Sequence, residues 1–440
     1  MRKWLPFVVA LLPLAAQTAD EHANRAAEFV QSRDLKSAEA ELRRAIEMRP
    51  SDPTLLTSLG GVLGMEGDLH GANGYLRRAV QLDGENPLLR RNLAANQWQL
   101  GQLHEAATNL DLLLKSNPRD GAAIFLRGMV ADGLHDYTRC IELLESLPEV
   151  TTRKPEAAVA LADSYYHTNE PEKARAILQP LAGSRLAYEA SGVAIAAHDY
   201  ETAVALLSSL RTPDAAARSR LALAQSRLEI ERGNLPQALA MASAGLRDAP
   251  DSAELVMTKA SLESTLHYYT DAVPSWKRAL ALRPHSEEAR RGLATAEWEG
   301  GMKPAAIADF EEGLKEFPHD AALRADYGTL LLDRGLGDDT ARGTELLRRA
   351  IALDDSLAEA HYRLGNALLE AGDLAGAQKE LEAAGSLDSQ SARVHFALSR
   401  LYRRMGRTGD ADRERGEWQR LKAGEARVAS TGPALGAVDR

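Results

Sequence analysis

Eleven histidines and one cysteine are the side chains of this 440-residue chain best suited to metal binding or acid–base chemistry. Six of the histidines form pairs 34 residues apart: His70 with His104, His285 with His319, and His361 with His395. If a 34-residue unit stacks on its neighbour, equivalent residues lie side by side. His361 and His395 would then be a ready pair of metal ligands. Neither a third ligand nor a companion carboxylate marks the pair, so both read as polar residues on a repeated face. Cys140, the single thiol, excludes an intrachain disulfide and any cysteine–histidine zinc pattern. It reads as a small apolar residue in a packed position. No His-Glu-x-x-His, phosphate-binding glycine loop or Gly-x-Ser-x-Gly elbow occurs in the sequence. The chain is therefore expected to be no enzyme, with no catalytic residues, no cofactor and no metal.

The elements that hold these residues are set by a period. Ala38, Ala72, Ala106, Cys140 and Ala174 stand 34 residues apart, and Ala203, Ala238, Ala272, Ala306, Gly343, Ala377 and Ala411 continue the series with small slips. With this marker as position 20, position 8 is also small throughout, from Ala26 and Gly60 to Gly365 and Ser399. Position 24 is large and apolar in all but two repeats, as in Leu42, Leu76, Trp276 and Phe310; Ala242 and the final Arg415 break it. Two apolar-periodic stretches of about a dozen residues fill each unit and predict two helices. Paired helices approach closely only where facing side chains are small, which accounts for positions 8 and 20. Position 15 holds Gly67, Gly101, Gly233, Gly301, Gly372 and Gly406, or His135, Asn169, His198 and His267. That column predicts a left-handed residue ending the first helix. Pro50, Pro118, Pro250, Pro284 and Pro318 end the second helix.

A period of 34 with this pattern resembles the tetratricopeptide repeat family over residues 20–421, best in "TSLGGVLGMEGDLHGANGYLRRAV" and "YRLGNALLEAGDLAGAQKELEAA". The units around 148–218 are shorter, and the unit at 321–357 carries an insertion at "GLGDDT". The resemblance implies an all-α fold, a right-handed superhelical solenoid of about twelve helix-turn-helix units that acts as an interaction scaffold. It further implies that positions 2, 5, 9, 12 and 13 of each first helix line a concave groove. Those positions supply Arg91, Trp98, Phe125, Met129, Asp163, Tyr166, Tyr188, Arg227, Met257 and Trp298 as candidate partner-binding residues. Exposed aromatics and methionines suit a peptide or a partner helix. The Lys/Asn clamp with which some members grip a C-terminal carboxylate is missing: Asn366 has Tyr362 and Ala397 where its partners would stand. Arg393, Arg400, Arg403, Arg404 and Arg407 form a basic cluster that reads as a solvated end.

Hydrophobic residues make up 45% of the chain, enough for a continuous core, and the formal net charge of −10 disfavours nucleic acid as a partner. Arg2 and Lys3, the apolar run Leu5 to Ala16 and the small residues that follow form a signal-peptide pattern, assigned to residues 1–19. It is too short to span a membrane, and no later segment is long and apolar enough. The chain is expected to be exported, periplasmic or secreted, with residues 20–421 as the solenoid and 422–440 as a disordered tail. Membership of a cell-envelope complex and service as an accessory chain of an enzyme are the competing expectations.

Overall fold

The computed structural model describes residues 18–147 and 149–431, with side chains up to residue 424. No strand occurs among them. The chain divides into two units, Met1–Ala224 and Gln225–Arg440, the division falling inside the helix Ala215–Glu231. Each unit is a succession of antiparallel helix pairs. The first pair is Ala19–Gln31 with Leu35–Met48, the second Pro53–Glu66 with Leu69–Leu82, and the third Pro87–Gln99 with Leu103–Ser116. The last is Ala392–Arg404 with Thr408–Thr431.

The small-residue columns sit where the helices of a pair touch. All twelve residues of the position-20 series are buried. A Cβ added to Gly60 would stand 2.7 Å from Leu76 Cγ, and one added to Gly128 would stand 2.6 Å from a Leu144 methyl. Real contacts do not come so close, so the small residue at position 8 is what admits the leucine at position 24. Each such leucine, fully removed from water, contributes roughly 1.5–3 kcal/mol. In the repeat with Trp276 at position 24, the space comes from Gly292 on the next first helix, whose added Cβ would meet the indole at 2.5 Å.

The turns follow the same logic. Every position-15 residue named above has positive φ, from 59° at His198 to 89° at Gly67. Arg33 (φ 61°) fills that place in the first repeat. The aspartate that follows accepts a hydrogen bond from an amide in the first turn of the second helix, as Asp34, Asp68, Asp136, Asp199 and Asp373 all do. Where the spacing slips, the helices shorten: Tyr137–Glu145, Pro171–Leu178 and Tyr200–Ser208 are the second helices of the irregular stretch. The insertion "GLGDDT" makes a turn with Gly335 and Gly337 at positive φ, closed by Arg334 on the carboxylate of Asp339.

The ends differ from the expected boundaries. Residues 1–17 of the expected signal segment lie outside the described residues, whereas Thr18 is the N-cap and Ala19 the first residue of the first helix. Thr18 caps that helix reciprocally with Glu21. The last helix runs from Thr408 to Thr431, past the expected limit at 422; 432–440 lie outside the described residues. Trp418 stands where earlier repeats have Ala45, Ala79, Ala279, Ala350 or Ala384, at the place on which a following repeat would pack. Its indole lies with its ring centroid 5.3 Å from that of Phe396, which is itself exposed. The arginine cluster beside it is tied inward: Arg393 to Glu359, Arg400 to Glu370, Arg407 to Asp410 and Arg404 to the carbonyl of Leu369.

Candidate functional site

The first helices of successive pairs lie side by side within each unit and present positions 2, 5, 9, 12 and 13 on one face. In the first unit the expected groove residues are half-buried. Arg91 reaches Asp120 of the next repeat at 3.5 Å, and that carboxylate also caps the helix Gly121–Gly133. Trp98 packs against the cluster around Ala94 and Leu110. Phe125 and Met129 pack against the neighbouring core, with Lys154 Nζ 4.4 Å over the Phe125 ring. Arg220 stacks 3.8 Å over Tyr188 and donates to its carbonyl oxygen at 3.0 Å. The Tyr166 hydroxyl donates to Asp199 at 2.8 Å, and Arg175 donates to the same carboxylate at 2.7 Å. Burial alone would raise the Asp199 pKa; these hydrogen bonds outweigh it and hold the carboxyl below its usual range.

Asp163 lies in a more strained neighbourhood. With Asp132 it forms a pair of carboxylates on adjacent first helices. Burial, then repulsion from Asp163, pushes the Asp132 carboxyl up to about 6, against a hydrogen bond from Ser164 at 3.5 Å. Burial likewise pushes the Cys140 thiol beneath them up to about 12, so it stays protonated and packs as the small apolar residue expected.

In the second unit the expectation fails for two residues. Met257 is 9% exposed and Trp298 4% exposed, so neither is an open groove side chain. Met257 belongs to one buried cluster with Ala289, Leu293 and Ala296, and Trp298 to another with Tyr327, Leu330 and Leu331, residues of the first helix of the following repeat. Lys303 Nζ closes over the indole at 4.1 Å. A large apolar side chain on that face packs between adjacent helices, because leaving it in water forfeits its transfer free energy. Arg227 alone among the ten is exposed.

The open site lies where no candidate was named. A cavity of about 600 Å³ runs across the helices Ala19–Gln31, Pro53–Glu66 and Pro87–Gln99, over Ala27, Val30, Gly61, Met65, Leu88 and Asn92. None of the side chains that line it is ionisable. Met65 and Leu88 are 57% and 49% exposed there. The signal was the smallness of the groove positions in these repeats, not the size of their aromatics: residues that fill a groove also close it.

The histidines serve the framework. His22, His361 and His395 each contact a glutamate on the partner helix at 2.7 Å, namely Glu41, Glu380 and Glu414. His135, His198 and His267 sit in the inter-helix turns with Nδ1 at 2.7–2.9 Å from the hydroxyls of Tyr137, Tyr200 and Tyr269. The pairing of His361 with His395 as metal ligands is thus replaced by two separate histidine–glutamate pairs. Among the described residues no three His, Cys, Asp or Glu side chains are grouped to hold a metal ion. No helix among them is long and apolar enough to cross a membrane.

Comparison with known proteins adds the following. A family model described as tetratricopeptide repeat matches residues 24–87, 257–321 and 362–419, and a second model of the same description matches 65–126. Together they cover just over half of the chain. "Tetratricopeptide repeat protein 8" of Caenorhabditis elegans is 26% identical over 174 residues, 40% of this chain and 34% of that protein. The match therefore spans about a third of the relative's length. Among solved structures, the Cut9–Hcn1 hetero-tetramer of the APC/C is 15% identical with a TM-score of 0.42, covering 92% of this chain and 94% of that one. Yeast Tom70 is 14% identical with a TM-score of 0.43, covering 92% of each chain. A repeat protein from Parabacteroides merdae is 20% identical with a TM-score of 0.36, covering 64% of this chain and 99% of that one.

Proposed function

We propose that this chain, which belongs to the tetratricopeptide repeat family, is a non-catalytic scaffold that binds other polypeptides through the face formed by its first helices. The observation that carries this reading is the open, uncharged cavity over the first three repeats, with Met65 and Leu88 standing in water inside it. Large apolar side chains left exposed in a cavity mark a surface that another molecule covers. The remaining first-helix face is largely satisfied internally, by pairs such as Arg91–Asp120 and Tyr166–Asp199.

The place of action in this proposal is outside the cytoplasm. Arg2, Lys3 and the apolar run Leu5 to Ala16 support it as an export signal. The same leader supports a second reading, a structural subunit of a cell-envelope assembly. The two differ in behaviour: a scaffold exchanges its partners, whereas a subunit fractionates stably with a membrane complex.

The test is quantitative capture of partners from an envelope fraction by the wild-type chain and by Met65→Glu, which places a charge in the cavity at an exposed position. Selective loss of partners by the variant supports the reading. Equal recovery of every partner contradicts it.

A further inference from the structure

We infer that a rim of the second unit, made by three consecutive inter-helix turns carrying Tyr268, Met302 and Leu336, docks a basic, amphipathic segment of another polypeptide. This surface is separate from the cavity over the first three repeats, and the inference does not rest on that cavity.

Three observations carry it. The first is a pattern of residue types. In every repeat a residue of positive φ ends the first helix or opens the turn after it. The residue that follows is polar in the other repeats, from Asp34 and Asp68 to Asp373 and Arg407. Tyr268, Met302 and Leu336 hold that place in successive repeats, each 34 residues from the last. Tyr268 and Met302 stand at the N-caps of Tyr269–Leu282 and Lys303–Glu316, which begin without a side-chain cap bond. A stabilising cap is thus given up at both places. The core does not ask for these side chains: Tyr268 is 48% and Leu336 65% exposed, and only Met302 packs partly against a buried cluster.

The second is that the turns form a fixed row. A Cβ added to Gly300 would stand 3.3 Å from both Met302 Cε and Tyr269 Cβ, so the second turn rests on the first. Arg334, at the third turn, lies 5.9 Å from the indole of Trp298, on the first helix that leads into the second turn. Leu336 N donates to Asp339 at 3.0 Å, and Arg334 closes on the same carboxylate, which holds the turn with the leucine side chain outside. Packed helices stand about 8–10 Å apart, so the row spans roughly 20 Å, the length of a polypeptide segment. Apolar side chains scattered singly need no partner, but a row of them marks a surface that is covered.

The third is charge. Each turn has an exposed acid beside its apolar residue: Asp271, Glu299 and Asp338. Among the described residues no hydrogen bond or ion pair holds any of these three carboxylates. The lysine and arginine of the same turns are committed, Lys303 to the Trp298 carbonyl at 2.8 Å and Arg334 to Asp339. Glu299 moreover ends the helix Glu287–Glu299, where the negative end of the helix dipole opposes it and no basic residue offsets it. A neutral apolar partner would strip water from these carboxylates without replacing it, and an acidic one would be repelled. A segment that intersperses lysine or arginine with apolar residues complements both features of the rim.

The probe is a fluorescent peptide of leucine and lysine, about 18 residues long, enough to span the row even as a helix. Two counterparts of equal length carry lysine with serine, and leucine with glutamate. Binding to the purified full chain is read by anisotropy. The leucine–lysine peptide is expected to bind at least about tenfold more tightly than either counterpart. Tyr268→Asn/Leu336→Asn keeps the net charge, and asparagine at 268 can cap its helix. This variant is expected to bind about tenfold more weakly while melting no lower than wild type. Asp271→Asn/Glu299→Gln/Asp338→Asn is expected to weaken binding about tenfold and to flatten its dependence on salt. Glu47→Gln/Glu85→Gln/Glu105→Gln, an equal loss of charge at exposed places in the first unit, is expected to leave it unchanged, as is Met65→Glu in the cavity. Equal binding of the lysine–serine peptide, or equal weakening by the two charge variants, reduces the attraction to net charge and overturns the inference. So do failure of the leucine–lysine peptide to bind, binding indifferent to Tyr268→Asn/Leu336→Asn, and loss of binding in Met65→Glu. Binding of the chain to phosphatidylcholine vesicles, or its self-association, abolished by Tyr268→Asn/Leu336→Asn overturns it in favour of a lipid surface or a second copy.

Discussion

His361 Nδ1 lies 2.7 Å from Glu380 Oε2, and both side chains are buried between the two helices of one repeat, nineteen residues apart in sequence. The same relationship recurs at His22 with Glu41 and at His395 with Glu414. In other repeats the two places hold Arg90 with Asn109 or Arg290 with Asp309. It is a polar cross-tie that replaces the apolar contact used elsewhere.

This cross-tie predicts a pH dependence. Burial works to lower the His395 pKa, but the hydrogen bonds to Glu414 and the Ser389 carbonyl outweigh it and raise the value above 6.5. A histidine raised in the fold contributes stability that is fully present below the unfolded value and is lost as pH rises through the folded one. His395→Gln is therefore expected to lower the melting temperature of the last repeats more at pH 5.5 than at pH 9. Equal losses at both pH values would contradict the cross-tie as an ionic one.

Asp132 predicts a slope of the same sign from the opposite cause, a penalty gained rather than a stabilisation lost as pH rises. Its carboxyl is raised to about 6, chiefly by burial and then by Asp163, so the fold favours the protonated form. The resulting penalty is absent below pH 3.8, grows as pH rises through about 6 and is full above it. Asp132→Asn is expected to stabilise the first unit at pH 7.5 by about 1–2 kcal/mol after allowing for solvent screening, and to change little near pH 4. Denaturant titrations at the two pH values measure this.

Adjacent glycines should respond with opposite signs. Gly60→Ala forces Leu76 to move and is expected to cost roughly 1–3 kcal/mol. Gly61→Ala meets open space and is expected to gain about 0.5–1 kcal/mol. Urea unfolding of the two single variants decides it.

Much of this architecture could be read directly. Ala38 through Ala411 marked the helix contacts, and His135, His198 and His267 marked the turns, because close approach and positive φ restrict residue type severely. The burial of Met257 and Trp298 was not legible. A period assigns a residue to a face, but how far the next helix covers that face depends on three-dimensional packing. The His–Glu ties were written at a spacing of nineteen, visible only when positions on two helices of one repeat are compared rather than equal positions of two repeats. The cavity was hidden because Gly61 and Ala27 look like packing residues, and only the structure separates a glycine that touches Leu76 from one that touches nothing.

The start of the first helix gives a further expectation. The reciprocal cap between Thr18 and Glu21 anchors the first helix, which lines the cavity. Thr18→Ala is expected to cost about 1 kcal/mol. Because the cap needs Thr18, a cleaved leader is expected to end before Thr18 and not at the 1–19 boundary assigned from sequence, which intact-mass measurement of the exported form determines.

The central claim, that partners bind on the first-helix face of the first three repeats, is tested most directly by hydrogen exchange of the chain with and without a captured partner. The account predicts slowed exchange in Ala19–Gln31, Pro53–Glu66 and Pro87–Gln99, with the second helices Leu35–Met48 and Leu69–Leu82 unchanged. Protection confined to those second helices, or to the last repeats, would contradict it.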